Sequence, residues 1–508
     1  MAFRQCYFTC VVVFWAVAVA SGATLLVPSG EYPSIQEAIN DSNDGDTVIV
    51  GPGRYYENIR FAGKAITVRS INPNDPEIVA TTIIDANGVG SVVTFANGEG
   101  RDSLLQGFTI TNGSSKYGGG ICCLHSSPVI ANCIITNCYA SRNGGGISCR
   151  GTSDAQIIDC TISYNSSDDG GGVMASGASV INSTIVHNSA GDRGGGIHFP
   201  KLLKNNLVHS NSAKSGGGIY AGQIIEGNVI YNNSASGSLN MPYGGGGIYL
   251  TGGQTVRNNT FVANSAPEGG NLYLRWIGWA DDTIISNNII VDAETGGGIC
   301  YGTTLYTNVL IQYNDVWNNA GGNYVGLTNQ TGLNGNISVD SVFINPDIND
   351  FHLQEDSPCI NTGDPDYIPE PDETDLDGLP RINDGRIDMG AYEYNPPVEV
   401  DMTLTPQSLN CKSKGKWIKA HVTLPEELTA EDIDVNTPAV LEPAGIESTY
   451  IDLLGSNNGP VYLEIVFDRE NLCDSLYENG LVEIELWGRL VTGRYFYATD
   501  TIKVSNCE

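Results

Sequence analysis

Lys116, Arg142, Asp168, Asp169, Asp192, Arg193, Lys214, Glu268 and Glu294 all stand just ahead of a run of glycines. Cations pair with carboxylates or sulfates, and acids share a calcium ion with them, so a mixed stripe of this kind suits an acidic polysaccharide. The ordinary alternative is a row of solvent-facing turns whose charges alternate in sign to avoid like-charge repulsion. Just after the glycine runs come Tyr220, Tyr249, Tyr273 and Tyr301, followed by Trp276 and Trp279 on an insertion. An exposed aromatic ring can stack on a sugar face, and Trp276 and Trp279 are the expected projecting pair. Further along, Asp375, Asp377, Asp384 and Asp388, with Gly378 and Gly385 for tight turns, form a candidate calcium site. That segment lacks a full twelve-residue calcium loop, and its ordinary alternative is an acidic turn region that closes the repeats.

These residues need elements to position them, and the glycines reveal the elements. Gly-Gly-Gly followed by an apolar residue begins at Gly118, Gly144, Gly170, Gly194, Gly216, Gly245 and Gly296, with a degenerate Gly269-Gly270-Asn271-Leu272 copy. The spacing is roughly 22–29 residues, a solenoid period. Each run opens a short apolar strand such as Ile147-Ser148-Cys149 or Ile248-Tyr249-Leu250. A second strand of the type Asn-Asn-Thr-Phe-Val-Ala-Asn-Ser-Ala follows, intact at 258–266. β-branched residues dominate and no long 3.6-residue spacing appears, so the coils are β and stack in parallel, about 4.8 Å apart.

Two rows of Asn recur at coil spacing. Asn165, Asn188, Asn211, Asn233 and Asn264 form one; Asn132, Asn182, Asn205, Asn258 and Asn287 form the other, interrupted by Asp159 and Gly227. An amide both donates and accepts, so each row reads as a structural hydrogen-bonded ladder, although Asn165 and Asn258 also begin glycosylation-type sequons. Cys123/Cys149 and Cys133/Cys160 are likewise one repeat apart. They are expected to be stacked thiols, with an inter-coil disulfide as the alternative. No His completes a zinc set, and none pairs with a Ser or Cys nucleophile in a recognisable context.

Residues 1–23 have the pattern of a signal peptide, with Arg4 before an apolar run and small residues at its end. Export is therefore expected, with no later transmembrane stretch. A net charge of −32 argues against nucleic acid and anionic membranes as partners. Ser34-Ile-Gln-Glu37 is a capping box that starts a helix over the first coil. Repeats occupy residues 24–349, and an acidic tail that closes the last coil occupies 350–397. Residues 398–508 carry short alternating strands and are expected to form a small β-sandwich.

Tyr32-Pro-Ser-Ile-Gln-Glu-Ala-Ile39 and the segment Gly45–Asn58 resemble the opening of secreted right-handed parallel β-helix proteins of the pectin-lyase-like superfamily. The pairing of Gly-Gly-Gly-Ile with Phe-Val-Ala-Asn-Ser-Ala resembles repeats of polymorphic outer-membrane adhesins. Residues 350–395 are similar to the tail of choice-of-anchor β-helix proteins, and 398–508 resemble an immunoglobulin-like module. The resemblance implies an all-β fold, a right-handed parallel β-helix solenoid followed by a small β-sandwich. Neither the Gly-x-x-Asp-Phe segment of pectin methylesterases nor the Asp-Pro-His-Asp of alginate epimerases occurs. The leading expectation is a secreted or cell-surface protein that binds polysaccharide or cell-surface glycan without chemistry, through Lys116, Arg142, Asp168, Asp169, Asp192, Arg193, Trp276 and Trp279. The alternatives are a calcium-dependent polysaccharide lyase, which the resemblance would equip with a basic residue beside calcium-binding acids, and a structural cell-envelope component.

Overall fold

The computed structural model describes residues 22–237, 244–275, 282–302, 309–371, 373–383, 385–425, 428–454, 461–476, 479–491 and 494–506. Every coil of the repeat region follows one path. In the coil around Asn188, Ser179–Ile181 belongs to a twelve-stranded sheet and Thr184–Val186 to an eleven-stranded one. Ser189–Arg193 then joins a six-stranded sheet, and Ile197–His198 a second eleven-stranded one. We call these sheets one, three, four and two. Strands pair in parallel with the equivalent strands of adjacent coils, in register, as Thr161↔Thr184↔Leu207 illustrates.

The axis is filled by stacked apolar residues from sheets one, two and three. Ile121, Ile147, Val173, Ile197, Ile219, Ile248, Leu272 and Ile299 stack in sheet two, all fully buried. Burying each such side chain contributes about 1.5–3 kcal/mol relative to leaving it in water. At the amino-terminal end the helix Ile35–Asp41, capped by Ser34, buries Ile35, Ala38 and Ile39 against the first coils. This shields backbone that would otherwise be an open sheet edge.

The inner amides form two ladders. One runs Asn165, Asn188, Asn211, Asn233, Asn264, with amide-to-carbonyl distances of 3.0, 3.1, 3.0 and 3.0 Å. Where the next coil has Ala293, the ladder is bridged by Asn271, which accepts from Asn264 at 2.9 Å and donates to Asn319 at 2.8 Å. That explains the degenerate glycine run: its third glycine became the amide that fills a gap. The second ladder lies one residue beyond the expected row, at Asn206, Asn228, Asn259, Asn288, Asn314 and Asn336. The expected members Asn132, Asn182, Asn205, Asn258 and Asn287 stand instead at positive φ on the corner, between 49° and 57°. The corner residue turns the chain, and the residue after it points inward.

In the early coils Cys133, Cys138 and Cys160 occupy the inward positions that Asn fills later, so these thiols are core residues. Cys138 N donates to the Asn165 carboxamide, and Cys160 N to the Ser183 hydroxyl. Cys123 and Cys149 are register partners, and all four members of the two expected pairs are free thiols.

The glycine runs form the corner between sheets four and two. Gly194 has φ +62°, and a Cβ on Gly195 would meet the Gly217 carbonyl oxygen at 2.3 Å. A Cβ on Gly196 would meet the Asn211 amide nitrogen at 3.1 Å. The first glycine is required by conformation. The second and third are required by the next coil's backbone.

The acidic tail does not close the last coil as expected; it doubles back along the outer face of sheet three. Phe343, Phe351, Leu353, Cys359, Met389 and Ala391 pack on Val229, Val262, Ile289 and Val291. Corner asparagines receive it: Asn205 donates to the Asp375 carbonyl at 3.0 Å, Asn258 to the Tyr367 hydroxyl at 3.0 Å, and the Asn287 carboxamide oxygen accepts from Asp364 N at 2.8 Å. His352 donates to Asp377 through Nε2 at 2.7 Å and is bonded to Asp350 through Nδ1. Burial opposes protonation of His352, but these two carboxylates outweigh it and hold the imidazole's pKa up at about 9.

Beyond the tail lies a separate β-rich domain with its own core, including Leu404, Ile418, Ile465, Phe467, Leu486 and Phe496. Ile446–Leu454 pairs with Val440–Glu442 along part of its length and with Tyr462–Asp468 along the rest, so the strands form one continuous path. Cys411 in this domain is disulfide-bonded.

Candidate functional site

Sheet four is built from Ser114–Tyr117, Tyr139–Asn143, Ser166–Asp169, Ser189–Arg193, Ser212–Ala213 and Ser234–Ala235. Its registers pair Tyr117 with Asn143, Asn143 with Asp169, and Asp169 with Arg193, which bridges on to Ser215. The residue before each of these, Lys116, Arg142, Asp168, Asp192 and Lys214, sits where the register shifts between strands, so these residues form a looser outer column along the same edge rather than directly opposed pairs. Lys116, Arg142, Asp168 and Lys214 are exposed and Asp192 is half-buried. Stacking thus brings together the charges expected to converge, except Glu268 and Glu294, which fall beyond the sixth strand.

The order of sign along the column is plus, plus, minus, minus, plus, not an alternation. Like charges held near one another on adjacent strands repel. The basic end is reinforced by two residues the sequence reading missed. Arg150 places its guanidinium 3.5 Å from the centroid of the Tyr117 ring, and the Lys116 ammonium lies 5.2 Å from that ring. Partial burial works to raise the Tyr117 phenol, but Lys116, Arg150 and Arg142 outweigh it and hold the phenol below its ordinary value. Lys116, Arg142 and Arg150 form a local basic patch on a chain of charge −32. Arg150 becomes visible as a member only when the strand register is known.

Next along the column, Asp169 is half-buried with one carboxylate oxygen that has no hydrogen-bond partner. Burial, with Asp192 and Asp168 nearby, raises its pKa above the usual carboxylate range, opposed by Arg193. Arg193 lies 3.5 Å from Asp192 and 5.5 Å from the Tyr220 ring centroid.

Across the glycine corner, the outward column of sheet two runs Cys122, Ser148, Met174, His198, Tyr220, Tyr249, Tyr273, Cys300. Tyr220, Tyr249 and Tyr273 are buried and, with Cys300 and Ala221, make a small cluster apart from the axial core. Tyr220 and Tyr249 stack at 4.7 Å and 11°, and Tyr249 and Tyr273 at 5.1 Å. Their faces meet one another along the axis, so the ladder offers no platform to a sugar. Tyr301 is one residue out of that column, paired with Leu274 and packed on the axial core. Trp276 and Trp279 lie outside the described residues.

Of the four aspartates proposed for calcium, the three described do not converge into a cage. Asp375 is buried and accepts from the backbone of Asp377, Leu379 and Glu393. Asp377 faces His352, and Asp388 accepts from Asn361 N and Tyr394 N. Asp384 lies outside the described residues. Each described carboxylate is occupied by protein donors, and among the described residues no group of three or more His, Cys, Asp or Glu could hold a metal ion. These residues fasten the tail.

A family model described as a right handed beta helix region matches residues 100–275, which include all of sheet four and its charged column. The chain is a right-handed β-helix repeat protein. No curated protein matches it. The exposed charged corner lies on the earlier of the matched coils, and the tail docks mainly on the later matched coils and those just beyond. No helix among the described residues is long and apolar enough to cross a membrane.

Proposed function

We propose that the charged corner of the β-helix binds an acidic extracellular glycan, whose anionic groups are received by Lys116, Arg142 and Arg150 around Tyr117. The observation that carries this reading is the gathering of Lys116, Arg142 and Arg150 around Tyr117 in a chain otherwise rich in acid. Two cations held side by side in a sheet repel, and an anionic ligand converts that repulsion into binding. The leader pattern of residues 1–23 and the disulfide-bonded Cys411 support an extracellular setting.

The test is calorimetric titration with polygalacturonate, alginate, a sulfated polysaccharide and neutral xylan, each with calcium and with a chelator. Binding of at least one polyanion that weakens about tenfold or more in K116A/R142A supports the reading. Polyanion affinity equal in wild type and variant, or absent throughout, rejects it.

One observation favours a second reading, elimination on a uronate polymer. Asp169 has an unpartnered oxygen and a raised pKa beside Arg193. A carboxylate so raised can accept a proton next to a sugar carboxylate that an arginine pairs. Accumulation of unsaturated uronate absorbance, lost in D169N, would support it; no rise on any uronate polymer would end it.

A further inference from the structure

The turns that lead from sheet two back to sheet one leave a trough of about 500 Å³ across four successive coils. Its floor is made by turns at Gly177, Gly222, Gly252 and Gly253, and Phe199, Lys201 and Gln223 stand around it. Gln254 is occupied in holding its own turn, bonded to Gly252 N and the Thr251 hydroxyl. Gln223 and Lys201 are exposed, and Lys201 makes only a solvent-exposed ion pair with Asp154 at 3.1 Å.

Phe199 differs from every ring of the neighbouring tyrosine ladder. It is 43% exposed, whereas Tyr220 is 7% and Tyr249 1%. It also sits at φ +54°, an uncommon conformation for a bulky residue. One face of Phe199 stacks on His198, with centroids 4.5 Å apart at 23°. His198 is 3% exposed, and neither of its ring nitrogens has a hydrogen-bond partner. Burial, assisted by Arg193, lowers its pKa to about 3, so the ring is neutral, with one N–H donor and one acceptor.

We propose that this trough is a second site, specific for a neutral oligosaccharide, in which a pyranose stacks on Phe199 and its hydroxyls bond Gln223 and Lys201. A flat glycine floor and one free aromatic face beside the Gln223 carboxamide suit a sugar ring. Four coils span about 14 Å, room for a short oligosaccharide laid along the axis. The site is separate from the charged corner and does not depend on the reading proposed for it.

The probe is a panel of linear β-linked gluco-, manno- and xylo-oligosaccharides, titrated calorimetrically. Binding of at least one is expected, weakened more than tenfold in F199A and retained in F199W. A thermal melt of F199A near that of wild type establishes that the fold is intact. K116A/R142A should bind the neutral sugar as wild type does. The proposal is overturned if no neutral oligosaccharide binds, if F199A binds as well as wild type, or if K116A/R142A loses this binding too.

Discussion

Two outward faces of the β-helix, on successive stretches of coils, have opposite fates. On sheet three the outward residues Val229, Val262, Ile289 and Val291 are apolar, and the tail lies over them with Phe351, Leu353 and Met389. On sheet four the outward residues are Lys116, Arg142, Asp168, Asp192 and Lys214, and among the described residues nothing of the chain covers them. Where the protein folds on itself, the second turn of polypeptide supplies the hydrophobic partner. Where it does not, charges remain and like signs gather. The covered face spends its side chains on stability, and the bare one has them free for a partner.

The largest effect should come from unsealing the covered face. Phe351→Ala should cost about 3–5 kcal/mol in chemical denaturation, and hydrogen exchange should rise first along residues 359–394. Equal loosening of tail and solenoid would mean that the two faces are not energetically distinct.

Next is pH. His352 has its folded pKa raised from 6.5 to about 9, so its bonds to Asp350 and Asp377 contribute fully below pH 6.5. That contribution, up to about 3 kcal/mol, is lost as pH rises through about 9. Tail protection in hydrogen exchange should fall over that window in wild type and stay flat in H352F. The bare corner should show no such step.

Smaller still is the contrast between two corner asparagines. Asn287 and Asn182 both have positive φ, 55° and 50°, so the conformational cost of alanine is common to both. Asn287 also accepts from Asp364 N and donates to Asn258, whereas Asn182 is exposed. Asn287→Ala should therefore exceed Asn182→Ala by about 1–3 kcal/mol in thermal or chemical melts. Equal costs would show that the tail gains nothing from that row.

Much of this was legible in the sequence. Glycine runs at coil spacing announced a β-solenoid, because only backbone without a Cβ passes between the ladder at Asn211 and the carbonyl of the next coil. The Asn165 row was legible as a ladder for the same reason of period. The other row was misplaced by one residue, and in a β coil one residue reverses the side chain. The pairs Asn205-Asn206 and Asn258-Asn259 look equivalent on the page, yet the first of each turns the corner and holds the tail. The tail's path could not be read, because its contacts join residues more than a hundred apart, such as Thr260 and Ala391. The tyrosine stripe misled through geometry: rings stacked at coil spacing present edges, not faces.

The smallest effect on stability should come from the bare corner itself. K116A/R142A should leave the melting transition within about 0.5 kcal/mol of wild type, since exposed charges away from packed contacts contribute little. The same variant is the most direct test of the account when titrated with the polyanion that wild type binds. The account predicts an affinity loss of about tenfold or more with the fold unchanged. Undiminished affinity in that variant would contradict it.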